Sequence, residues 1–286
     1  MKKIFYLFAA TVVLAAVGCS KDDAAQEEVK YVSEIKIGFE GDTRVTAEQI
    51  ASGLKFSFED GEEIEVYAVD NIGVTMPYEY DATTQTLKAT NESYKLQEGK
   101  KYFAITKTLS SDAVKVDTEG NVTAETKLNT TSGIKDMPMI TDVFTASADG
   151  TVATMHHLVG VVEVPVKLDP ESPYDVLYQL SLSRVSGLSG VFTAIPKAPY
   201  IKVVTTPYNS TVSDVRDVKL SKESATSVFI PVLPGTYTDA ITLNRFYYSG
   251  ENKSSGSGTL GGSAPKTLVV ERGKITKVTE HTIGLW

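Results

Sequence analysis

Cys19 is the residue whose type and position most directly indicate chemistry in this chain. It is the only cysteine among 286 residues, and it follows a short basic segment and an apolar stretch at residues 4–17. This order, with small residues before the cleavage point, is typical of a secretion signal. The apolar stretch is shorter than the roughly 20 residues that span a bilayer. We therefore expect residues 1–18 to be a signal peptide that is cut between Gly18 and Cys19.

An ordinary secretion signal needs no cysteine at its cleavage site, so Cys19 requires a second explanation. The sequence Val17-Gly18-Cys19 resembles the lipobox of bacterial lipoproteins, in which the cysteine thiol receives a diacylglycerol and its amine a further acyl chain such as palmitate. Two or more acyl chains anchor a protein stably, whereas one chain binds only marginally. The resemblance implies that Cys19 is the lipid attachment site. The alternative is a secreted protein with a single buried cysteine.

Two other patterns could carry chemistry. A G-x-G-x-x-G match lies at residues 256–261 and is followed by Pro265. A dinucleotide site needs a helix after these glycines, so we expect a flexible loop instead.

His156 and His157 are adjacent in a predicted strand, so their rings should point to opposite faces. They cannot bind one metal together, and we expect no metal site; one of them should hydrogen-bond to backbone at the edge of the core.

No catalytic set is visible in the sequence. There is no G-x-S-x-G motif, and no cysteine is left as a nucleophile after lipidation. The carboxylates lie opposite apolar positions along predicted strands, as on a solvated face. We therefore expect that the protein is not an enzyme and uses no cofactor.

The charge of the chain limits the kinds of partner that it can bind. It has 28 basic and 36 acidic residues, a net charge of −8, and no long basic run, which argues against binding to nucleic acid. A single cysteine allows no intrachain disulfide. Residues 19–30 are polar and acidic and predict a flexible tether. Within this tether, Ser20-Lys21-Asp22-Asp23 resembles the signal that sends lipoproteins of Bacteroidetes to the outer face of the outer membrane.

From Tyr31 onward the dominant hydrophobic period is two, which indicates strands. Many short strands separated by turns predict an all-β chain of two tandem antiparallel β-sandwich domains of the Greek-key type. We place the boundary at the Pro-containing segment 169–173, which gives domains at residues 31–168 and 169–286. We expect one long strand at residues 152–166, with Pro165 at an edge or bulge, and one or two helical turns near residues 46–54.

The first predicted strand is strongly amphipathic. Tyr31, Ile35, Ile37 and Phe39 share one face, and burying each should contribute about 1.5–3 kcal/mol. If the chain were cut between Arg44 and Val45 and the strand were lost, an apolar groove would open. A strand of another chain could then fill it by β-augmentation. The alternative is that Arg44 is simply an exposed loop residue.

Several segments in order resemble the fimbrillin-like lipoproteins of the Bacteroidales. After the lipobox these are Ile35-Lys36-Ile37-Gly38-Phe39, Asp42-Thr43-Arg44, Asp60-Gly61-Glu62-Glu63-Ile64-Glu65-Val66-Tyr67-Ala68, Met139-Ile140-Thr141 and His157-Leu158-Val159. The resemblance implies two transthyretin-like sandwiches and a role in surface fimbriae. In polymerising members a protease cuts after an arginine, the first strand leaves, and a donor strand from the next subunit replaces it.

By position, the resemblance makes Arg44 and Val45 the maturation cleavage site. It makes the strand with Tyr31, Ile35, Ile37 and Phe39 the exchanged strand. Family donor strands often come from the C-terminal segment, here residues 274–286. Anchor subunits keep both their lipid and their first strand, so the resemblance covers either role.

Two hypotheses of different classes remain at this point. The first is a structural and adhesive lipoprotein on the surface of the outer membrane, either a fimbrial subunit or an anchor. Its partners would be other fimbrial subunits, the membrane and a surface ligand of a host or a bacterium. The second is a glycan-binding surface lipoprotein of a nutrient-uptake system. Exposed, convergent tyrosine rings would favour the second, and a first strand that bridges a groove beside Arg44 would favour the first.

Overall fold

The computed structural model describes residues 29–40, 48–50, 53–55, 58–128, 134, 137–184, 187–209, 211–260 and 267–283. The predicted signal peptide, the predicted lipid site Cys19, the predicted cleavage site at Arg44 and Val45, and Trp286 lie outside these residues. Among the residues described, no helix is both long enough and apolar enough to cross a membrane.

Over the described part of the chain, the structure consists of 26 strands and two 3₁₀ helices, Glu92–Tyr94 and Ser111–Ala113. The first half of the strands are β1 (Tyr31–Val32), β2 (Glu34–Phe39), β3 (Glu48–Ile50), β4 (Gly53–Lys55), β5 (Glu63–Ala68), β6 (Asn71–Asp81), β7 (Thr86–Ala89), β8 (Leu96–Gln97), β9 (Lys101–Thr106), β10 (Val114–Val116), β11 (Val122–Lys127), β12 (Met139–Thr141) and β13 (Phe144–Thr145). The second half are β14 (Thr151–His157), β15 (Gly160–Leu168), β16 (Val176–Ser183), β17 (Ser189–Ala194), β18 (Ile201–Asn209), β19 (Thr211–Lys219), β20 (Thr226–Val232), β21 (Gly235–Tyr237), β22 (Thr242–Ser249), β23 (Asn252–Thr259), β24 (Leu268–Val270), β25 (Ile275–Lys277) and β26 (His281–Ile283).

The predicted all-β class is confirmed, and the period-two pattern explains it. In β5, Ile64 and Val66 are fully buried, while Glu63 between turn and strand is exposed. A strand places alternate side chains on opposite faces, so each such segment can cover a core on one side and meet water on the other. The ladders are mostly antiparallel. Three pairs are parallel, however: β2 with β14, and β15 with both β25 and β26.

The N-terminal strands form a sheet in the order β12-β14-β2-β7-β6-β5-β9-β13. A further pairing, Ile140 of β12 with Ile105 of β9, joins the first strand of this order to the strand next to its other end. The strand β2 therefore lies inside the sheet rather than at an edge. Its removal would break two ladders at once.

The C-terminal strands form two four-stranded sheets, β20-β15-β25 with β26 beside β15, and β19-β16-β22-β23. A third four-stranded sheet, β10-β11-β17-β18, combines strands from both sides of residue 169. The strand β15 precedes the predicted domain boundary and pairs with strands that follow it. Buried residues from Ile35 to Ile283 also belong to one hydrophobic cluster. The boundary at residues 168 and 169 stays a prediction, and strand pairing crosses it.

The single long strand predicted at residues 152–166 is wrong. The chain leaves β14 after His157 and enters a different sheet as β15. Gly160 begins β15 where a side chain would overlap the carbonyl oxygen of Glu271, so this close approach requires glycine. Pro165 does not lie at a sheet edge, because β15 is paired with β20 on one side and with β25 and β26 on the other. It falls between the register with β25 and the register with β26.

Two further predictions are corrected by strand pairing. Residues near 48–55 form the antiparallel pair of β3 and β4 rather than helical turns. The glycine-rich segment predicted as a loop lies mostly in β23, which pairs with β22 along its whole length. The backbone bonds of this hairpin supply the order that its small side chains cannot.

Candidate functional site

The strand β2 is held between two neighbours of opposite direction. It runs parallel to β14, with register from Ile35 opposite Thr151 to Phe39 opposite Met155. On its other side it runs antiparallel to β7 from Glu34 to Lys36. The amide of Ile37 extends this side by donating to the carbonyl oxygen of Gln85 (3.0 Å). Both edges of β2 are thus engaged in backbone hydrogen bonds.

The side chains of β2 confirm part of the predicted apolar face. Ile35 and Ile37 are buried, and Phe39 is partly buried with its ring 5.3 Å from the ring of Phe58. The predicted burial of Tyr31 is wrong, because its side chain is 60% exposed. Tyr31 belongs to the separate strand β1, which pairs with β8 at a different place. Full burial of the two isoleucines contributes about 3–6 kcal/mol.

A polar cluster closes the end of β2. Glu40, the residue after the strand, is bound by the guanidinium of Arg272 through two hydrogen bonds, Nη1 to Oε2 (2.6 Å) and Nη2 to Oε1 (3.1 Å). This two-bond geometry matches the planar guanidinium to the carboxylate and is the strongest form of such a pair. The backbone amide of Glu40 also donates to the carbonyl oxygen of Met155 (2.9 Å). Side chain and backbone together fix where β2 ends.

His156 of β14 is the centre of this cluster. Its Nδ1 lies 3.0 Å from Oε2 of Glu40, and its Nε2 lies 3.0 Å from Oδ2 of Asp142. The hydroxyl of Tyr200 donates to Oδ1 of Asp142 (3.0 Å) and lies 3.2 Å from Nε2 of His156. The imidazole is therefore placed between two carboxylates. We predicted that one of the two histidines hydrogen-bonds to backbone, but the ring nitrogens of His156 contact the side chains of Glu40, Asp142 and Tyr200 instead.

Tyr200 and His157 hold Arg272 in place from the other side. The Tyr200 ring stacks on His156 with centroids 4.3 Å apart, and the Arg272 guanidinium lies 4.5 Å from the centre of the Tyr200 ring. Such a contact attracts the cation to the face of the ring. Nη1 of Arg272 also donates to the carbonyl oxygen of His157 (3.0 Å). The guanidinium is thus oriented by groups that do not belong to β2.

Within this cluster, Glu40 is stabilised in its ionised form. The hydrogen bond from Arg272, helped by His156, lowers the pKa of Glu40 from its ordinary 4.5 to about 2. Burial, followed by the hydrogen bond to Asp142, raises the pKa of Tyr200 to about 12, so its hydroxyl stays protonated. The arrangement binds a carboxylate. Its contacts orient the side chain of Glu40, so we infer a positioning role for it.

We define the Glu40 cluster as Glu40, Asp142, His156, Tyr200 and Arg272. Its members come from five parts of the chain: the end of β2, the turn between β12 and β13, β14, the residue before β18, and the turn between β24 and β25. Of these residues, the sequence singled out only His156 as a candidate for chemistry, and it indicated no such role for it. Glu40 and Arg272 are separated by 232 positions, and no local pattern links them.

A second feature lies on the sheet β19-β16-β22-β23. The rings of Tyr178, Phe246 and Tyr248 line one open concavity of about 550 Å³, together with Asp217 and Lys253. Tyr178 and Phe246 are exposed. Partial burial and a hydrogen bond with the Asp217 carboxylate raise the pKa of Tyr248. Aromatic rings and polar groups therefore converge on one surface, and two of the rings come from the run Phe246-Tyr247-Tyr248.

Comparisons with known proteins identify the fold. No protein-family profile and no curated protein matches the sequence. A solved structure of a "putative cell adhesion protein" from Bacteroides ovatus is similar over 89% of this chain and 92% of its own, with a TM-score of 0.56 and 13% identity. Another with the same description, from Bacteroides uniformis, is similar over 91% of this chain and 94% of its own, with a TM-score of 0.54 and 16% identity. The chain thus shares the fold of these two proteins over about nine-tenths of its length.

Proposed function

We propose that the protein is a structural, adhesive lipoprotein of the outer-membrane surface that serves as a fimbrial subunit or anchor. The observation that carries this proposal is the position of β2. It is an interior strand, hydrogen-bonded on both sides, and it lies directly before the segment that contains Arg44. The fold shared with the two Bacteroides proteins described as cell adhesion proteins supports the adhesive part.

In the proposed assembly, cleavage after Arg44 releases β2, and a strand of another subunit takes its place. Loss of β2 exposes the backbone edges of β7 and β14 and the apolar site vacated by Ile35 and Ile37. An unpaired interior edge is a template for an incoming strand. The replacement gains backbone hydrogen bonds and apolar burial together, as in β-augmentation. Other fimbrial subunits are therefore the proposed partners.

The predicted donor segment, residues 274–286, is engaged in the protein's own sheet as far as it is described. Its strands β25 and β26 pair with β15, and Ile283 is fully buried. Donation by this segment would first require these pairs to separate. This cost weighs against it, and we propose that the donor strand comes from elsewhere in the partner subunit.

The test is mass spectrometry of the N-terminus of the protein taken from cells, separately from membranes and from detached fimbriae. A start at Val45 in fimbriae supports strand exchange, and an acylated start at Cys19 supports an anchor. An Arg44→Ala variant, made in the full chain, should abolish the Val45 start without affecting the start at Cys19. A non-acylated form that is neither membrane-bound nor fimbrial would contradict the proposal.

The convergent rings give specific support to a second candidate function, glycan binding at the cell surface. Faces of Tyr178 and Phe246 are open to solvent, and Asp217 lies beside them for hydrogen bonds to hydroxyl groups. Sites for small ligands combine apolar walls with a few polar groups in this way. Binding of soluble oligosaccharides should be lost in Tyr178→Ala and Phe246→Ala. It should persist in Val269→Ala, which changes an exposed apolar residue outside the concavity.

A further inference from the structure

We infer that Asp142, His156, Tyr200 and Arg272 form a carboxylate receptor that selects the strand lying between β7 and β14. This inference rests on the proposed strand exchange and adds the chemistry of the partner. The strand that fits carries apolar residues at alternate positions and an acidic residue directly after the last of them. Glu40 occupies the receptor in the intact chain.

The receptor is built without any contribution from β2. Arg272 is oriented by the carbonyl oxygen of His157 and by the Tyr200 ring. Tyr200 is in turn fixed by Asp142 and His156. When β2 leaves, these contacts remain, and only the contacts with the carboxylate are lost. The receptor is therefore preorganised for the next strand, which lowers the entropic cost of binding it.

The geometry requires a carboxylate rather than any polar group. Arg272 directs two N–H groups of one guanidinium fork at the two oxygens of Glu40, and His156 approaches one of these oxygens through Nδ1. A glutamine in this place would present an NH₂ group to a cation along one arm of the fork. A lysine would repel Arg272 directly. Because the His156 and Arg272 side chains are largely buried, water cannot fully replace the missing anion.

The position of the acidic residue along the strand, relative to β14, is also fixed. The amide of the residue in the Glu40 position donates to the carbonyl oxygen of Met155, one residue after Phe39 pairs with Met155 in the ladder. Pockets for the side chains of Ile35 and Ile37 lie earlier along the same strand. A one-residue slip would move every apolar side chain to the opposite face. The carboxylate contact therefore specifies register together with the apolar side chains.

The test uses the full chain, which is first folded and then cleaved at a single peptide bond, the one after Arg44. The strand β2 then remains in its place but is no longer covalently attached. Labelled synthetic peptides with the sequence of residues 31–40, made with an amidated C-terminus and with either Glu or Gln at position 40, compete for its place. We expect the Gln peptide to bind about 10- to 100-fold more weakly, which is the range for a lost hydrogen-bonded charge. Arg272→Gln in the protein should remove this preference by weakening only the Glu peptide. Lys202→Gln, which changes a cation paired elsewhere with Asp117 and Glu119, should preserve it.

The outcomes distinguish a failure of the carboxylate receptor from a failure of strand exchange itself. Equal binding of the Glu and Gln peptides would overturn the receptor while leaving strand exchange intact. If neither peptide enters the nicked protein, both strand exchange and the partner chemistry built on it are wrong. If Arg272→Gln impairs folding, the Glu-to-Gln comparison on the unaltered protein and the same comparison on His156→Gln still decide the matter. A preference that survives in His156→Gln at reduced size supports the shared role of the two groups, and one that is unchanged there limits the receptor to Arg272.

Discussion

Replacing Glu40 by Gln should destabilise the protein in a pH-dependent manner. The fall of the Glu40 pKa from 4.5 to about 2 corresponds to about 3 kcal/mol of stabilisation at neutral pH. The side chain is 42% exposed, however, and solvent screening weakens such a pair. We therefore expect Glu40→Gln to lower the free energy of unfolding by about 1–2 kcal/mol at pH 7.

The sign of the pH dependence follows from the direction of the pKa change. A carboxyl whose pKa is lowered by folding stabilises the native state at pH values above its unfolded pKa. That stabilisation is lost as the pH falls from about 4.5 to about 2. The difference between the unaltered protein and Glu40→Gln should shrink over this interval.

The assay is urea-induced unfolding, followed by circular dichroism from pH 7 to pH 2. A double-mutant cycle with Arg272→Gln isolates the pair, and Lys100→Gln, which breaks an exposed pair with Asp70, is the control. A Glu40→Gln effect that is the same at pH 7 and at pH 2 would refute the reasoning. So would additivity of the Glu40 and Arg272 effects.

Three further outcomes follow from the structure. Ile37→Ala should cost about 2–5 kcal/mol because it empties a buried site, whereas Val152→Ala, at an exposed position of the neighbouring strand, should change the unfolding free energy by less than about 0.5 kcal/mol; equal effects would show that β2 is not packed as described. Gly160→Ala should cost at least about 1–3 kcal/mol through overlap with the turn between β24 and β25, and Gly235→Ala, whose added methyl meets only ordinary contacts, should be tolerated in the same thermal unfolding assay. Cys19→Ala should release the protein from cell membranes in a fractionation experiment; continued retention would exclude the lipid anchor.

The sequence predicts the class of this fold because strand patterns are local. The alternation of apolar Ile64 and Val66 with charged neighbours, for example, marks β5. The predictions are wrong for segments whose structure depends on a distant turn or a partner strand. The break at Gly160 depends on a turn more than 100 residues away in the chain, and β23 is ordered by pairing with β22 despite its glycine and serine content.

In the candidate site, too, local features could be predicted from the sequence and long-range contacts could not. The apolar face of β2 is readable from Ile35 and Ile37, because their spacing alone places them on one side. Tyr31 follows the same spacing but lies in a separate short strand, since the chain changes neighbours at Ser33. The Glu40 cluster could not be predicted, because it is a meeting of five distant segments and each of its residues is ordinary in its local context.

The separation of 232 positions between Glu40 and Arg272 also bears on how the polypeptide reaches its native state. Synthesis proceeds from the N-terminus, so Glu40 is made 232 positions before Arg272. The end of β2 must therefore wait, without its salt bridge, until the turn between β24 and β25 has been made. Contacts of such long range slow folding, and during this delay the sheet around β2 lacks the pair that fixes the end of the strand.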